Sequence, residues 1–413
     1  MTIAERILHD QEQPQQAESV SLWRAGWTRL KRNRVARAAG LVLLAMHLLA
    51  IFADFVAPYS ELYTNRRKFY HPPTRIHIVT QDGALSRPFV YDFRLVDRSR
   101  RIYEEDRSQP YPVRFFVRGE PYRLLWLIPT DVHLIGVDPP AGLYLLGTDD
   151  MGRDIFSRLL FGARRSLFIG VAGIAVTLLI GLIYGGISGY FGGRVDNVMM
   201  RLAEIVLAIP SFYLLVALSA VLPLNLPSQQ RFFLVVLVLS LVGWPGSARA
   251  VRGLVLSLRE QDFVAAARAV GATHLRIIWR HILPNTVSYA IVAATLSVPG
   301  FIIAEAALSL IGVGVQEPYA SWGNMLSKAT NVNSMARYPW TLVSGFAIFL
   351  AVLSYNFLGD GVREAFSPRT LAATPAAVRV SKRPSERRSW AAALRSALLR
   401  GGVPARSGPS RPA

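Results

Sequence analysis

Three aspartates that lie close together are the residues best spaced for chemistry. Asp149, Asp150 and Asp154 fall in the run GTDDMGRD at 147–154. Carboxylates at short spacing suit a hard divalent cation, but the remaining positions of a roughly twelve-residue calcium loop are not acidic here. Asp154 can instead begin a helix, whose N-terminal dipole favours the acidic cluster. The sequence therefore predicts a helix start and no metal site.

Enzymatic motifs are absent from the sequence. No GxxxxGK[ST] phosphate loop, HExxH or GxSxG pattern occurs, and the seven histidines are scattered. These absences predict no ATP hydrolysis by this chain, no metal or triad chemistry and no cofactor. Basic patches interleaved with stacking aromatics on a soluble module are also missing, which argues against nucleic-acid binding. Any work that the protein performs must come from a partner.

The composition is that of a membrane protein. Of the 413 residues, 52% are hydrophobic and only 18% are charged, which is unlike a single soluble globule. The net charge of +19 comes from 46 basic and 27 acidic residues. The arginines flank apolar runs and fill the C-terminal tail, so contact with anionic membrane lipid and positive-inside orientation explain them best. The chain has no cysteine, which excludes disulfides and thiolate metal sites.

Apolar runs long enough to cross a bilayer recur along the chain. A helical span needs roughly 20 such residues. The predicted spans are Ala38–Ala57, Ser166–Tyr190, Val198–Leu222, Phe232–Val251, Val287–Ile311 and Trp340–Leu358. The fold class is therefore an all-α polytopic membrane protein of about six transmembrane helices.

Basic residues beside the spans predict the orientation. Six of them precede the first span: Arg24, Arg29, Lys31, Arg32, Arg34 and Arg37. They place the N-terminus in the cytoplasm, and six crossings would return the C-terminus there. Four arginines disagree, because this topology puts them on the outer side: Arg153, Arg158, Arg164 and Arg165.

Two glutamates lie within the apolar segments, where an unpaired charge costs several kcal/mol. Glu204 is one helical turn from Arg201, so a local ion pair is expected. Glu305 lies deeper, in the run FIIAEAALSL. Two roles are open for Glu305: lining a translocation path, or a structural hydrogen bond to a neighbouring helix.

A polar, arginine-rich segment from Arg259 to Asn285 separates two apolar runs. Gln261 to Val270 is rich in alanine, the best helix former. Phe263, Ala267 and Val270 are expected on one face, and Gly271 can end the helix. Helical periodicity resumes through Leu275, Ile278, Trp279 and Ile282 until Pro284 prevents simple continuation. The segment is predicted to form a compact knob that is presented to a partner, although an ordinary linker between membrane helices is the alternative.

The spacing of Ala265, Ala266, Ala267, Gly271, Leu283 and Pro284 resembles the "EAA" loop of ABC importer permeases. In that family the loop is a short helix, a glycine break, a second helix and a proline stop. The runs GTDDMGRDIFSR at 147–158 and FGARRSL at 161–167 resemble signatures of the dipeptide/oligopeptide permeases, as do GVGVQEP at 312–318 and NFLGDGVREAFSPR at 356–369. One position departs from the family, because Ala265 stands where glutamate is usual.

The resemblance implies a type I ABC importer permease fold and a membrane subunit that performs no catalysis. It also implies four kinds of neighbour: a second permease subunit, cytoplasmic ATPase subunits, an extracytoplasmic solute-binding protein and membrane lipid. The expected location is the bacterial inner membrane and the expected solutes are peptides or peptide-like molecules. A channel or ion-coupled secondary transporter is the alternative, against which a single deep carboxylate argues.

The stretch between Pro58 and Leu146 is polar, rich in proline and aromatic residues, and alternates in runs such as RFFVR at 114–118. Short strands and turns are expected there. The length resembles the subset of the family linked to microcin C and oligopeptide uptake. Docking of a binding protein, covering of the outer pore mouth and simple stabilisation remain three open roles.

These inferences divide the chain into five regions. They are a cytoplasmic N-terminus with an interfacial helix (1–37), the first transmembrane helix (38–57), a small extracytoplasmic β-rich insert (58–160), a permease core (161–360) with its coupling loop at 252–286, and a basic, disordered cytoplasmic tail (361–413).

Overall fold

The computed structural model describes residues 22–125, 127–223, 226–330 and 332–366. The described residues divide into two units, one made of residues 22–29 with 364–366 and the other of residues 30–363 with the gaps just given. Most of the region predicted as a disordered tail lies outside the described residues, as do residues 1–21.

Helices form most of the described chain. The N-terminal group is α1 (Leu22–Arg32), α2 (Arg34–Ile51) and α3 (Ala53–Val56). The central group is α4 (Ile155–Phe191), α5 (Gly193–Ala208), α6 (Ser211–Ala220) and α7 (Ser228–Leu258). Then come α8 (Asp262–Ala269), α9 (His274–Arg276), α10 (Val287–Leu310), α11 (Trp322–Ala329), α12 (Val332–Arg337) and α13 (Val343–Ala365).

Five helical stretches of the described chain are long and apolar enough to cross a membrane: Arg34–Ile51, Ile155–Phe191, Gln230–Leu258, His274–Leu310 and Pro339–Ala365. The predicted span Val198–Leu222 falls on two helices, α5 and α6, which meet at an angle of 83°. The break falls at Ile209 and Pro210, since proline lacks the N–H group that helix continuation needs. Counting this bent pair as one span gives six.

Close contact between α4 and α7 organises the core. Three glycines of α4, Gly181, Gly185 and Gly189, face α7. A Cβ atom added at Gly189 would lie only 2.8 Å from the carbonyl oxygen of Arg252, so the two backbones touch where only glycine fits. Leu167 of α4 packs with Ile302 of α10 in the largest buried apolar cluster. This framework holds the ends of the long helices in fixed positions.

The region between the first two spanning helices is the expected β-rich insert. Its strands are β1 (His77–Val79), β2 (Leu85–Asp97), β3 (Ile102–Pro112), β4 (Arg114–Leu124) and β5 (Ile128–Gly136). They form two antiparallel sheets, one of three strands in the order β1-β2-β3 and one of two strands, β4-β5. Helix α4 then begins at Ile155 with Asp154 as its N-cap, which confirms the predicted helix start.

Candidate functional site

The segment with the EAA-like spacing folds into a helical knob, which we define as residues 262–286. Helix α8 ends before Gly271, whose φ of 78° lies in the left-handed region that favours glycine. Thr273 then caps α9, its side chain accepting a hydrogen bond from the backbone N–H of Arg276. The predicted helix, glycine break and second helix are thus present in the knob.

Pro284 does not end the second helix. The backbone passes from α9 into a π-helical turn (Ile277–Ile282) and a 3₁₀ turn (Leu283–Thr286), and then into α10. Helical conformation is therefore continuous from His274 to Leu310. Proline cannot donate the backbone hydrogen bond of a regular α-helix. The π-helical and 3₁₀ turns around Pro284 allow the chain to remain helical without that bond, so Pro284 marks a change of helix type.

The knob has a buried face and an exposed face. Val264 and Ala267 of α8 pack with Ile278, Ile282 and Leu283 in a buried apolar cluster that also contains Val251 and Val255 of α7. The exposed apolar side chains are Phe263, Val270, Leu275 and Trp279. The predicted face of Phe263, Ala267 and Val270 is therefore wrong, because Ala267 is buried while the other two are exposed. In the second helical stretch, Ile278 and Ile282 are buried, whereas Leu275 and Trp279 are exposed. Periodicity alone could not tell which side of each short helix meets α4 and α7.

Polar contacts also fix the knob and its supporting helices. The Tyr190 hydroxyl at the end of α4 lies 2.9 Å from Nδ1 of His274. Nearby, Arg252 of α7 and Ser188 of α4 both donate hydrogen bonds to the buried carboxylate of Asp196 on α5. Helices α4, α5 and α7 are thus joined by hydrogen bonds beside the knob. Ala265 and Ala266 are exposed and take no part in this attachment.

Glu305 lies in α10 as a fully buried residue. The hydroxyl of Ser166 on α4 donates to its Oε2 at 2.9 Å, and the hydroxyl of Ser309 donates to its Oε1 at 2.7 Å. Both hydroxyls in turn accept backbone N–H groups, Ser166 from Trp322 and Ser309 from Val315. Glu305 therefore organises the packing of α4, α10 and the loop after α10.

The four arginines that conflict with the predicted orientation are all paired. Arg153 and Arg158 contact Glu317, and both also lie near Asp149. Arg164 donates to the carbonyl oxygens of Ala50 and Ile51 and to Asp54, and Arg165 pairs with Glu61. Their positions therefore have a structural reason in the fold, which is independent of the orientation of the chain in the membrane.

Two acidic side chains near this cluster have shifted pKa values. Partial burial opposes ionisation of Glu317, but the hydrogen bond from Arg153 and the charges of Arg158, Arg153 and Lys328 lower its pKa to about 2. Burial raises the pKa of Asp154 to about 7, against the hydrogen bonds from Ser157 that favour its charged form. Sequence reasoning missed Glu317, since its partners are far away in the chain.

Two further expectations concern the other carboxylates. Arg201 and Glu204 form the expected ion pair at 3.1 Å on the exposed surface of α5. The Asp149 carboxylate, offered above as part of a metal loop, accepts hydrogen bonds from Arg153. Among the described residues, no group of three or more His, Cys, Asp or Glu side chains is placed to hold a metal ion.

The apolar helices and the knob at their ends define a polytopic helical membrane protein of the permease class. The chain belongs to the family of binding-protein-dependent transport system inner membrane components, whose model matches residues 148–372, more than half of the chain. A second model, the N-terminal transmembrane domain of oligopeptide transport permease C, matches residues 21–73. The fold is thus that of type I ABC importer permeases, as expected.

Individual relatives agree with this membership. The oligopeptide transport system permease protein OppC of Bacillus subtilis is 43% identical over 240 residues, which cover 57% of this chain and 76% of the relative. The dipeptide permease protein DppC of the same organism is 31% identical over 365 residues, 87% of this chain and 91% of the relative. A solved chain of the MetNI methionine ABC transporter aligns with a TM-score of only 0.39 at 18% identity, over 50% of this chain and 96% of its own length.

Proposed function

We propose that this chain is the membrane-spanning permease subunit of an ATP-driven importer for peptides or peptide-like solutes. Membership of the permease family supports the transport role, and the names of the relatives, which are oligopeptide and dipeptide permeases, support the class of solute. The chain contributes the membrane passage, and partner ATPase subunits hydrolyse ATP.

The knob is the coupling element in this proposal. Its buried face is fixed to α4 and α7, whereas Phe263, Val270, Leu275 and Trp279 remain exposed on its other side. Apolar side chains exposed together at the end of a helical bundle suit a partner protein better than water. This two-faced construction is the single observation that carries the coupling role, because a push on the exposed side would reach both long helices.

The remaining partners and the orientation complete the proposal. The N- and C-termini and the knob lie in the cytoplasm, and the β-rich insert lies on the outer side with a solute-binding protein. A second permease subunit completes the passage. ATP-driven closure of the ATPase pair moves the knob, and the spanning helices change between inward-open and outward-open states.

Crosslinking tests the coupling role directly, because the native chain has no cysteine. Val270→Cys places a thiol on the knob at a side chain that is 84% exposed, and Leu85→Cys places one on the insert at the same exposure. In the purified complex we expect the thiol-reactive crosslinker to join the Val270→Cys variant to an ATPase subunit and to leave the Leu85→Cys variant uncrosslinked to it. Absence of ATPase capture from Val270, Leu275 and Trp279 alike would overturn the proposal.

Uptake into proteoliposomes tests the transport role. With the binding protein, a labelled oligopeptide and internal ATP, we expect accumulation that stops when ATP is omitted. Accumulation without ATP would contradict an ATP-driven importer and favour an ion-coupled transporter or channel.

For Glu305 the geometry favours the structural role over the translocation path. Both carboxylate oxygens accept serine hydroxyls, and the side chain is buried within protein. We propose that Glu305 fixes α10 against α4 and that solute does not touch it.

A further inference from the structure

The hairpin formed by β4 and β5 carries an unusual turn. The two strands are joined through the run LLWLI at 124–128, where turns in water usually hold glycine, asparagine or aspartate. The described apolar side chains exposed on this hairpin are Phe115, Phe116, Leu125, Leu127 and Ile128. Leu125, Leu127 and Ile128 are clustered at the turn, whereas Phe115 and Phe116 lie at the other end of β4. Exposed apolar residues grouped in this way mark an interaction surface.

The hairpin is attached to the end of the first spanning helix. Helix α3, which follows α2 directly, packs against both β4 and β5. Nδ1 of the buried His133 on β5 lies 3.0 Å from the carbonyl oxygen of Ala57, and the rings of Phe55 and Phe116 lie 6.2 Å apart. These contacts hold the hairpin in a fixed place beside the membrane-spanning segment.

A groove continues the apolar surface of α2 onto the hairpin. It has a volume of about 380 Å³, and its lining is entirely apolar: Leu48, Leu49, Phe52, Phe55, Val56 and Leu124. Leu48 and Leu49 are exposed on α2, on the same helix as the exposed Leu41 and Leu44. The surface that α2 presents outside the protein therefore extends without interruption to the hairpin turn.

The length of α2 places this groove at a definite depth. Its 18 residues span about 27 Å at 1.5 Å per residue, close to the roughly 30 Å of a hydrocarbon core. Leu48 and Leu49 lie in its last turn, so they reach the boundary between acyl chains and headgroups. Leu124, which shares their groove, must lie at that boundary too.

We infer that the β4-β5 hairpin inserts its turn into the lipid bilayer, with Leu125, Leu127 and Ile128 among the acyl chains. Lipid fits better than a protein partner because the patch is continuous with the surface of a helix that spans the membrane. The exposed Arg123 beside the turn suits lipid phosphate groups. The inference holds whichever side of the membrane the insert occupies, and it does not depend on the transported solute.

Fluorescence quenching by lipid tests the insertion. The full chain, purified with its co-expressed partners and placed in lipid nanodiscs, is labelled with a thiol-reactive bimane at Leu127→Cys. The matched control is Leu85→Cys on the other sheet, because the two native side chains are exposed to 81% and 84%. Two quenchers are compared: lipids that carry a nitroxide near the headgroup end of the acyl chain, and aqueous iodide.

We expect lipid quenching to be about twofold or more stronger at Leu127→Cys than at Leu85→Cys, since interfacial insertion reaches about 5–10 Å into the headgroup and acyl boundary. Aqueous iodide should quench the label at Leu85→Cys more strongly than the label at Leu127→Cys. Equal accessibility of both labels to iodide would overturn the inference. Protection from iodide at Leu127→Cys without lipid quenching would also overturn it, because a protein partner would then cover the turn.

Discussion

The hydroxyl of Ser166 donates a hydrogen bond to the carboxylate of Glu305 at 2.9 Å, joining helices that lie far apart in the sequence. The same hydroxyl accepts the backbone N–H of Trp322 at 3.1 Å. Ser166 therefore uses both its donor and its acceptor capacity, and Glu305 becomes the common acceptor of a network that includes the loop after α10.

Replacement of Glu305 should mainly affect stability. We expect Glu305→Ala to lower the free energy of unfolding by about 1–3 kcal/mol for each buried hydroxyl that loses its acceptor, measured by thermal unfolding in detergent. The control is Glu204→Ala, which removes the exposed ion pair of Glu204 with Arg201 and should change the free energy of unfolding by about 0–1 kcal/mol. A Glu305→Ala variant as stable as the native chain but unable to transport would assign Glu305 to the translocation path.

Substitution of Gly271 should separate ATP hydrolysis from transport. Proline requires a negative φ and cannot adopt the 78° found there, whereas asparagine tolerates the left-handed region. An added Cβ would meet no atom within 4 Å, so the variants differ in backbone conformation and in the N–H of residue 271, which donates to the carbonyl oxygen of Arg268 and which proline lacks. We expect Gly271→Pro to abolish ATP-driven uptake of the labelled oligopeptide into proteoliposomes, and Gly271→Asn to retain most of this uptake. Full uptake with Gly271→Pro would contradict the coupling role.

Thiol labelling should establish the orientation. We expect a membrane-impermeant maleimide to label Leu85→Cys in intact spheroplasts, and to label Val270→Cys only after permeabilisation. Both native side chains are 84% exposed in the chain by itself, so in cells that express it without the ATPase subunits proposed to cover Val270, differences in labelling report the side of the membrane. The reverse pattern would invert the topology.

The buried cap Asp154 should make stability depend on pH. Its pKa is about 7 in the folded chain and 3.8 as a reference, so between these values the folded state holds a proton that the unfolded state has released. Stability then falls as pH rises through this range. We expect Asp154→Asn, which retains a capping side chain, to flatten this slope when unfolding is followed across the range.

Glu317→Gln serves as the matched control for that experiment. The carboxyl of Glu317 has a pKa of about 2 in the folded chain and a reference pKa of 4.5. Its contribution to the stability of the fold is therefore present above pH 4.5 and is lost as the pH falls toward 2. Between about pH 5 and 7 the variant should lower stability by a constant amount, about 1.5–3 kcal/mol for a lost hydrogen bond to a charged group. A native slope that survives in Asp154→Asn would show that another group titrates there.

Local patterns in the sequence predicted local features well. Asp154 as a helix cap and the Arg201 to Glu204 pair both depend on neighbours within a few residues. The apolar spans were found for the same reason, since length and hydropathy determine membrane crossing.

Features that depend on distant partners could not be predicted. Arg153 and Glu317 are separated by 164 positions, so the arginines near α4 looked like an orientation signal. The buried side of α8 depends on where α7 and the π-helical turn lie. In the structure Val264 packs against these elements, whereas Phe263 and Val270 are exposed. Pro210 permits a break in the helix, but the sequence does not determine the 83° angle between α5 and α6.

The glycine contacts between α4 and α7 have a mechanical consequence. At Gly185 and Gly189 the backbone of α4 lies directly against the backbone of α7 and the side chains of Val251 and Val255, and such close packing resists relative displacement of the two helices. The knob packs on the same pair, with Leu283 against Gly186. If the proposed coupling motion occurs, we expect α4, α7 and the knob to move as one rigid unit and the residues that bend to lie outside these three elements.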